Sequence, residues 1–90
     1  MDLGLKGRVA VVTGSARGIG AETARMLAQE GMAVVITDLD LDAARETASG
    51  IALAGGKAIA VQCDVRQQDQ VRNMVGAGKD AFGSIDVLVN

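Results

Sequence analysis

Four short apolar runs punctuate the chain: Val9-Ala10-Val11-Val12-Thr13, Ala33-Val34-Val35-Ile36-Thr37, Ala58-Ile59-Ala60-Val61-Gln62-Cys63 and Ile85-Asp86-Val87-Leu88-Val89. They are rich in β-branched residues and nearly continuous rather than alternating, the pattern of strands buried on both faces. The first ends at Gly14, the second at Asp38, the third at Asp64 and the fourth at Asn90.

Segments of helical period lie between them. Gly20, Ala24, Leu27, Ala28 and Gly31 form a small-residue stripe suited to close packing on a sheet, with Gly31 in the place of a helix C-terminal glycine. Ala44, Ala48, Ile51 and Ala52 make a second stripe, with Asp40 or Asp42 able to cap its start. Val71, Met74, Val75, Gly78 and Phe82 make a third, with Asp69 in its first turn. Gly50, Gly76 and Gly78 lie inside the last two helices, each at a cost of roughly 1 kcal/mol relative to Ala, which predicts softer helices there. The order β-α-β-α-β-α-β predicts an α/β fold: a doubly wound parallel sheet of Rossmann type, with right-handed crossovers and strand order 3-2-1-4, in one domain or part of one.

Composition narrows the chemistry. The 90 residues include no His, Tyr, Trp or Pro, one Phe and one Cys. A Ser-His-Asp nucleophile, a His-rich metal site, a tyrosine acid and an internal disulfide are therefore excluded. The core must be built from Val, Ile, Leu, Met and Ala. A net charge of −2 gives no electrostatic case for nucleic acid or an anionic membrane. No apolar run approaches the ~20 residues of a membrane span, so the expectation is a soluble, cytoplasmic protein.

The chemistry concentrates in two places. Between the first strand and first helix lies Thr13-Gly14-Ser15-Ala16-Arg17-Gly18-Ile19-Gly20, with glycines at 14, 18 and 20. Gly14 permits a tight turn off the strand, Gly18 lets the backbone approach a diphosphate, and Gly20 allows the helix to pack close to the strand. Such a turn aims the helix N–H groups and positive dipole end at phosphate, and Arg17 can add a charge-assisted contact. The plainer alternative is a tight strand-to-helix turn with no ligand. Asp38, 18 residues beyond Gly20, ends the second strand, where a carboxylate can accept both hydroxyls of an adenosine ribose. It would repel a 2′-phosphate, which argues for NAD over NADP. Its alternative use, with Asp40 and Asp42, is a solvated turn and helix cap. Arg17 pulls toward NADP, and Leu39 supplies no second cation.

These residues resemble the short-chain dehydrogenases/reductases along essentially the whole chain. Thr13 to Gly20 looks like that family's T-G-x-x-x-G-I-G turn, and Asp38 matches the acid of its NAD-using members. Cys63-Asp64-Val65 is similar to the segment after its third strand, and Ile85 to Asn90 to the stretch leading into its N-N-A-G motif. The resemblance implies that Asp64 bonds the adenine amino group and Val65 packs against the ring, although Asp64 is also a candidate cap for the third helix. It implies a backbone contact from Asn90 to the adenosine ribose. The cofactor-binding set expected is thus Gly14, Ser15, Arg17, Gly18, Ile19, Gly20, Asp38, Leu39, Asp64, Val65 and Asn90, with no catalytic residue and no metal ligand. Cys63 reads as a small buried hydrophobe, and Asp69, Arg72 and Lys79 as a solvated helix face.

The family's hydride transfer uses a Ser and a Tyr-x-x-x-Lys motif, and the sequence has no Tyr. The expectation is that residues 1–90 are the N-terminal part of a dinucleotide-binding domain in a longer NAD-dependent oxidoreductase. Its partners would be the C-terminal catalytic half, a secondary alcohol or ketone as small-molecule substrate, and further copies in a homotetramer. Two alternatives stand beside it: a non-catalytic NAD-binding module, and an NADP-dependent acyl-type ketoreductase.

Overall fold

A computed structural model describes residues 4–90. Along the chain run β1 (Val9–Val12), α1 (Gly18–Gln29), β2 (Ala33–Asp38), α2 (Leu41–Leu53), β3 (Lys57–Gln62), α3 (Gln68–Phe82) and β4 (Val87–Val89). All strand pairs are parallel and the order is β3-β2-β1-β4, as the alternation of elements predicts. Val9 lies opposite Ala33, Ala33 opposite Lys57, and Ala10 opposite Val87.

The pleat divides each strand between two cores. Ala10, Val12, Val34 and Ile36 face Ala24 of α1 and Ala44, Ala48 and Ile51 of α2. Val11 and Val35 face the other way, onto Met74 of α3 and Cys63, with Phe82 and Ile85 packed alongside. Period-two alternation thus fills both sides of β1 and β2 with apolar groups, which is why these strands read as unbroken hydrophobic runs. That reading does not extend to the outer strands. β3 is half-buried, and β4 exposes Val87 and Leu88, because each has a neighbour on one side alone in this sheet.

Local chemistry shifts several boundaries. Asp86 stays outside β4: its N–H donates to the Val9 carbonyl, and its carboxylate accepts the Val9 N–H at 2.8 Å, capping the start of β1. Asp40 rather than Asp42 caps α2, accepting the Ala43 N–H at 3.1 Å. The buried face of α2 is Ala44, Thr47, Ala48 and Ile51, an i, i+3, i+4, i+7 stripe; Ala52, expected inside, is exposed. The replacement has a polar cause, since the Thr47 hydroxyl donates to the Ala16 carbonyl at 2.7 Å. Gly31 follows α1 at φ +90°, as a C-terminal glycine should.

Candidate functional site

The strand-to-helix turn after β1 is shaped by its glycines. Gly14 and Gly18 have φ of +59° and +61°, a region that L side chains rarely adopt. A Cβ at either position would project into open space, so no side chain covers the backbone at these two glycines. Gly20 is required for a different reason. A Cβ there would collide with the Gly14 carbonyl, so the close approach is between the first turn of α1 and the turn's own backbone, rather than the strand expected from the sequence. Arg17 occupies the N-cap position of α1 and gives no side-chain cap hydrogen bond. The first amides of the helix are therefore left without that partner, in the geometry that favours an anion. Ile19, within this turn, is exposed.

Contacts from β2 and α2 hold the turn in this shape. Ser15 is fully buried. Its hydroxyl donates to the Val12 carbonyl at 2.6 Å and accepts the Thr37 N–H at 2.9 Å, while its own N–H donates to the Thr37 carbonyl. Ser15 thus staples the turn to β2, with its side chain turned inward. Asp38 accepts the Ala16 N–H on one carboxylate oxygen at 3.3 Å and the Asp40 N–H on the other at 3.2 Å. Arg17 reaches across to Asp40, Nη2 to Oδ2 at 2.7 Å. Asp40 is held below the usual carboxylate range first by the Ala43 N–H and then by Arg17.

A groove of about 340 Å³ opens beside the turn at the C-terminal edge of the sheet, lined by Thr13, Gly14, Asp38, Leu39, Cys63, Asp64, Val65 and Arg66. It brings the ends of β1, β2 and β3 together, so residues far apart in the sequence share one wall. Leu39 and Val65 line it as exposed apolar side chains, a pairing suited to the faces of a flat ring. The Cys63 thiol is buried, and burial raises its pKa, which keeps it protonated near neutral pH. A larger recess, about 540 Å³, lies at the opposite edge between the C-terminal ends of α1 and α2. It has Arg25 and Gln29 among glycine, alanine and isoleucine, and contains none of the predicted site residues.

Asp64 does not cap α3, whose N-cap residue is Gln67. Its carboxylate is gripped by Arg66 through Nε at 3.0 Å and Nη2 at 2.9 Å, and its N–H donates to Gln70 Oε1 at 2.8 Å. The Arg66 side chain holds the Asp64 carboxyl below its ordinary value. Asn90 sits at the end of β4 against the turn, its Oδ1 accepting from the Thr13 hydroxyl at 3.3 Å. The predicted set therefore gathers along one edge, with Ser15 behind it as a brace. The sequence reading missed Thr47, Arg66 and Gln70. A signal existed for Arg66, because an Asp followed two residues later by Arg can close a local turn onto itself.

No helix among the described residues is long and apolar enough to cross a membrane. A family profile described as short chain dehydrogenase matches residues 8–90. An oxidoreductase of Methylorubrum extorquens, itself uncharacterised, is 51% identical over 87 residues, covering 96% of this chain and 35% of its own length. The 3beta-hydroxysteroid dehydrogenase 1 of Eggerthella lenta is 46% identical over 87 residues, covering 96% of this chain and 33% of the relative. The crystal structure of a hydroxysteroid dehydrogenase from Escherichia coli superimposes with a TM-score of 0.93 at 35% identity, over 96% of this chain and 37% of that one. The chain spans about a third of the length of these relatives. With this turn, this strand order and these matches together, the chain belongs to the short chain dehydrogenase family.

Proposed function

We propose that residues 1–90 form the cofactor-binding part of an NAD-dependent oxidoreductase. The substrate class proposed is a secondary alcohol and its ketone, the chemistry suggested by relatives named as hydroxysteroid dehydrogenases. The observation that carries the reading is that Gly14 of the glycine-rich turn and Asp38 at the end of β2 line one groove. A bound nicotinamide would supply the hydride acceptor or donor. The chain's own residues would do the holding.

In this reading the diphosphate lies over Gly14 and Gly18, against the uncapped start of α1. Asp38 takes the ribose hydroxyls. Its carboxylate already accepts two backbone N–H groups, which fix its direction and leave lone pairs for further donors. Leu39 and Val65 cover the two faces of the adenine, Asp64 accepts from its amino group, and Asn90 approaches the ribose from β4. The proton-transfer residues, a catalytic half and a homotetrameric assembly would belong to the remainder of the enzyme.

The acyl-type ketoreductase reading with NADP loses support because Arg17, its main argument, is paired with Asp40. The test is a titration of the intact protein with NAD and NADH, followed by nicotinamide absorbance, against a panel of secondary alcohols and ketones. Binding with turnover is expected. Binding without turnover would favour the non-catalytic module, and no binding would reject both.

A further inference from the structure

We propose that Asp40 is a specificity-determining residue: it pairs with the Arg17 guanidinium and so competes with a 2′-phosphate for that cation, reinforcing selection of NAD over NADP. This rests on the dinucleotide reading above and extends it to a residue outside the groove lining.

The geometry gives Asp40 three simultaneous tasks. Its Oδ1 caps α2 through the Ala43 N–H at 3.1 Å, and its N–H donates to Asp38 Oδ1 at 3.2 Å. Its Oδ2 is left to receive Arg17 Nη2 at 2.7 Å. The carboxylate is thus the fixed member of the pair, and it cannot follow the arginine elsewhere without uncapping the helix. Arg17 is the movable member, 70% exposed on a long side chain. An ion pair this exposed contributes little to stability, so its consequence lies in where the cation sits.

That position bears on cofactor choice. A cation beside the glycine-rich turn is the natural partner of an added phosphate, through charge-assisted hydrogen bonds. Arg66, the cation lining the groove, is engaged by both oxygens of Asp64. Arg17 is then the remaining cation beside the turn, and Asp40 engages it. Asp38 would repel the phosphate, while Asp40 would withhold the group able to offset that repulsion.

The variant Asp40→Asn tests this cleanly, because asparagine caps a helix about as well as aspartate but carries no charge. Asp40→Ser also keeps a cap and serves as a second variant. Calorimetric titration of the intact protein with NAD and with NADP gives the ratio of the two dissociation constants. The expected result is a shift toward NADP of roughly two- to fivefold in both variants, the most that releasing Arg17 from an exposed ion pair can return. Adding Arg17→Gln to Asp40→Asn should abolish it. No shift in either variant, or a shift that survives loss of Arg17, overturns the proposal while leaving NAD binding intact. Failure of the unmodified protein to bind either dinucleotide overturns the underlying reading and this proposal together.

Discussion

The Asp38 carboxylate accepts the Ala16 backbone N–H at 3.3 Å, across 22 residues of sequence. The end of β2 therefore helps to hold the glycine-rich turn that follows β1. Alongside it, Thr47 of α2 binds the Ala16 carbonyl and Ser15 binds both polar groups of the Thr37 backbone. The turn is shaped by side chains from elements that come after it, so its geometry is a tertiary property as much as a local one.

Ser15 should matter more for stability than for ligand affinity. Ser15→Ala removes the buried acceptor of the Thr37 N–H and the donor to the Val12 carbonyl. Leaving such a group without its partner costs about 1–3 kcal/mol. Denaturant unfolding should register that loss, while the dissociation constant for NADH measured under folded conditions should move by less than the stability change. A dominant loss of affinity with unchanged stability would contradict this and make ligand contact the main role of Ser15.

The interior glycines of the helices should respond in opposite directions. A Cβ at Gly50 meets nothing within 4 Å, so Gly50→Ala should stabilise α2 by up to roughly 1 kcal/mol. At Gly78 the same group would come within 2.6 Å of Ile85 Cδ1 and 3.1 Å of Val35 Cγ2, so both side chains would have to give way. Gly78→Ala should therefore lower stability despite the better helix propensity, by up to about 1 kcal/mol. Paired thermal melts would check both signs.

The Asp64–Arg66 clasp sets a direction for pH dependence. Arg66 lowers the pKa of Asp64 in the folded chain, so the stabilisation is present above the ordinary carboxylate value and is lost as pH falls through the depressed one. Arg66→Gln should move the Asp64 titration upward, toward the ordinary value. Carboxyl carbon NMR across the acidic range would follow it, and an unmoved midpoint would mean that the neighbouring N–H groups alone set the charge.

The chain pattern was most legible where one rule dominated. Unbroken β-branched runs marked β1 and β2 because both of their faces are covered, and the alternation of runs with helical segments carried the strand order. The outer strands were harder to read, since edge position depends on neighbours that a run of residues does not encode. Apolar periodicity puts Ala52 on the buried face of α2 and leaves out Thr47, whose burial comes with a carbonyl partner in Ala16. The residues of the groove were legible by their positions after the strands and their resemblance to a known pattern. The direction of each side chain was not: Ser15 faces inward, Arg17 pairs with Asp40, and Asp64 pairs with Arg66, all through contacts formed on folding.

Asp38, in the groove lining, is the residue proposed to receive the ribose hydroxyls of NAD. The most direct test of that role is the dissociation constant of NADH for the intact protein and for Asp38→Asn, with NADPH measured alongside. NADH binding should weaken about tenfold or more in the variant, as loss of charged hydrogen bonds implies, while NADPH binding strengthens relative to it. Equal affinities for NADH in the two proteins, with no change in the preference between cofactors, would contradict it.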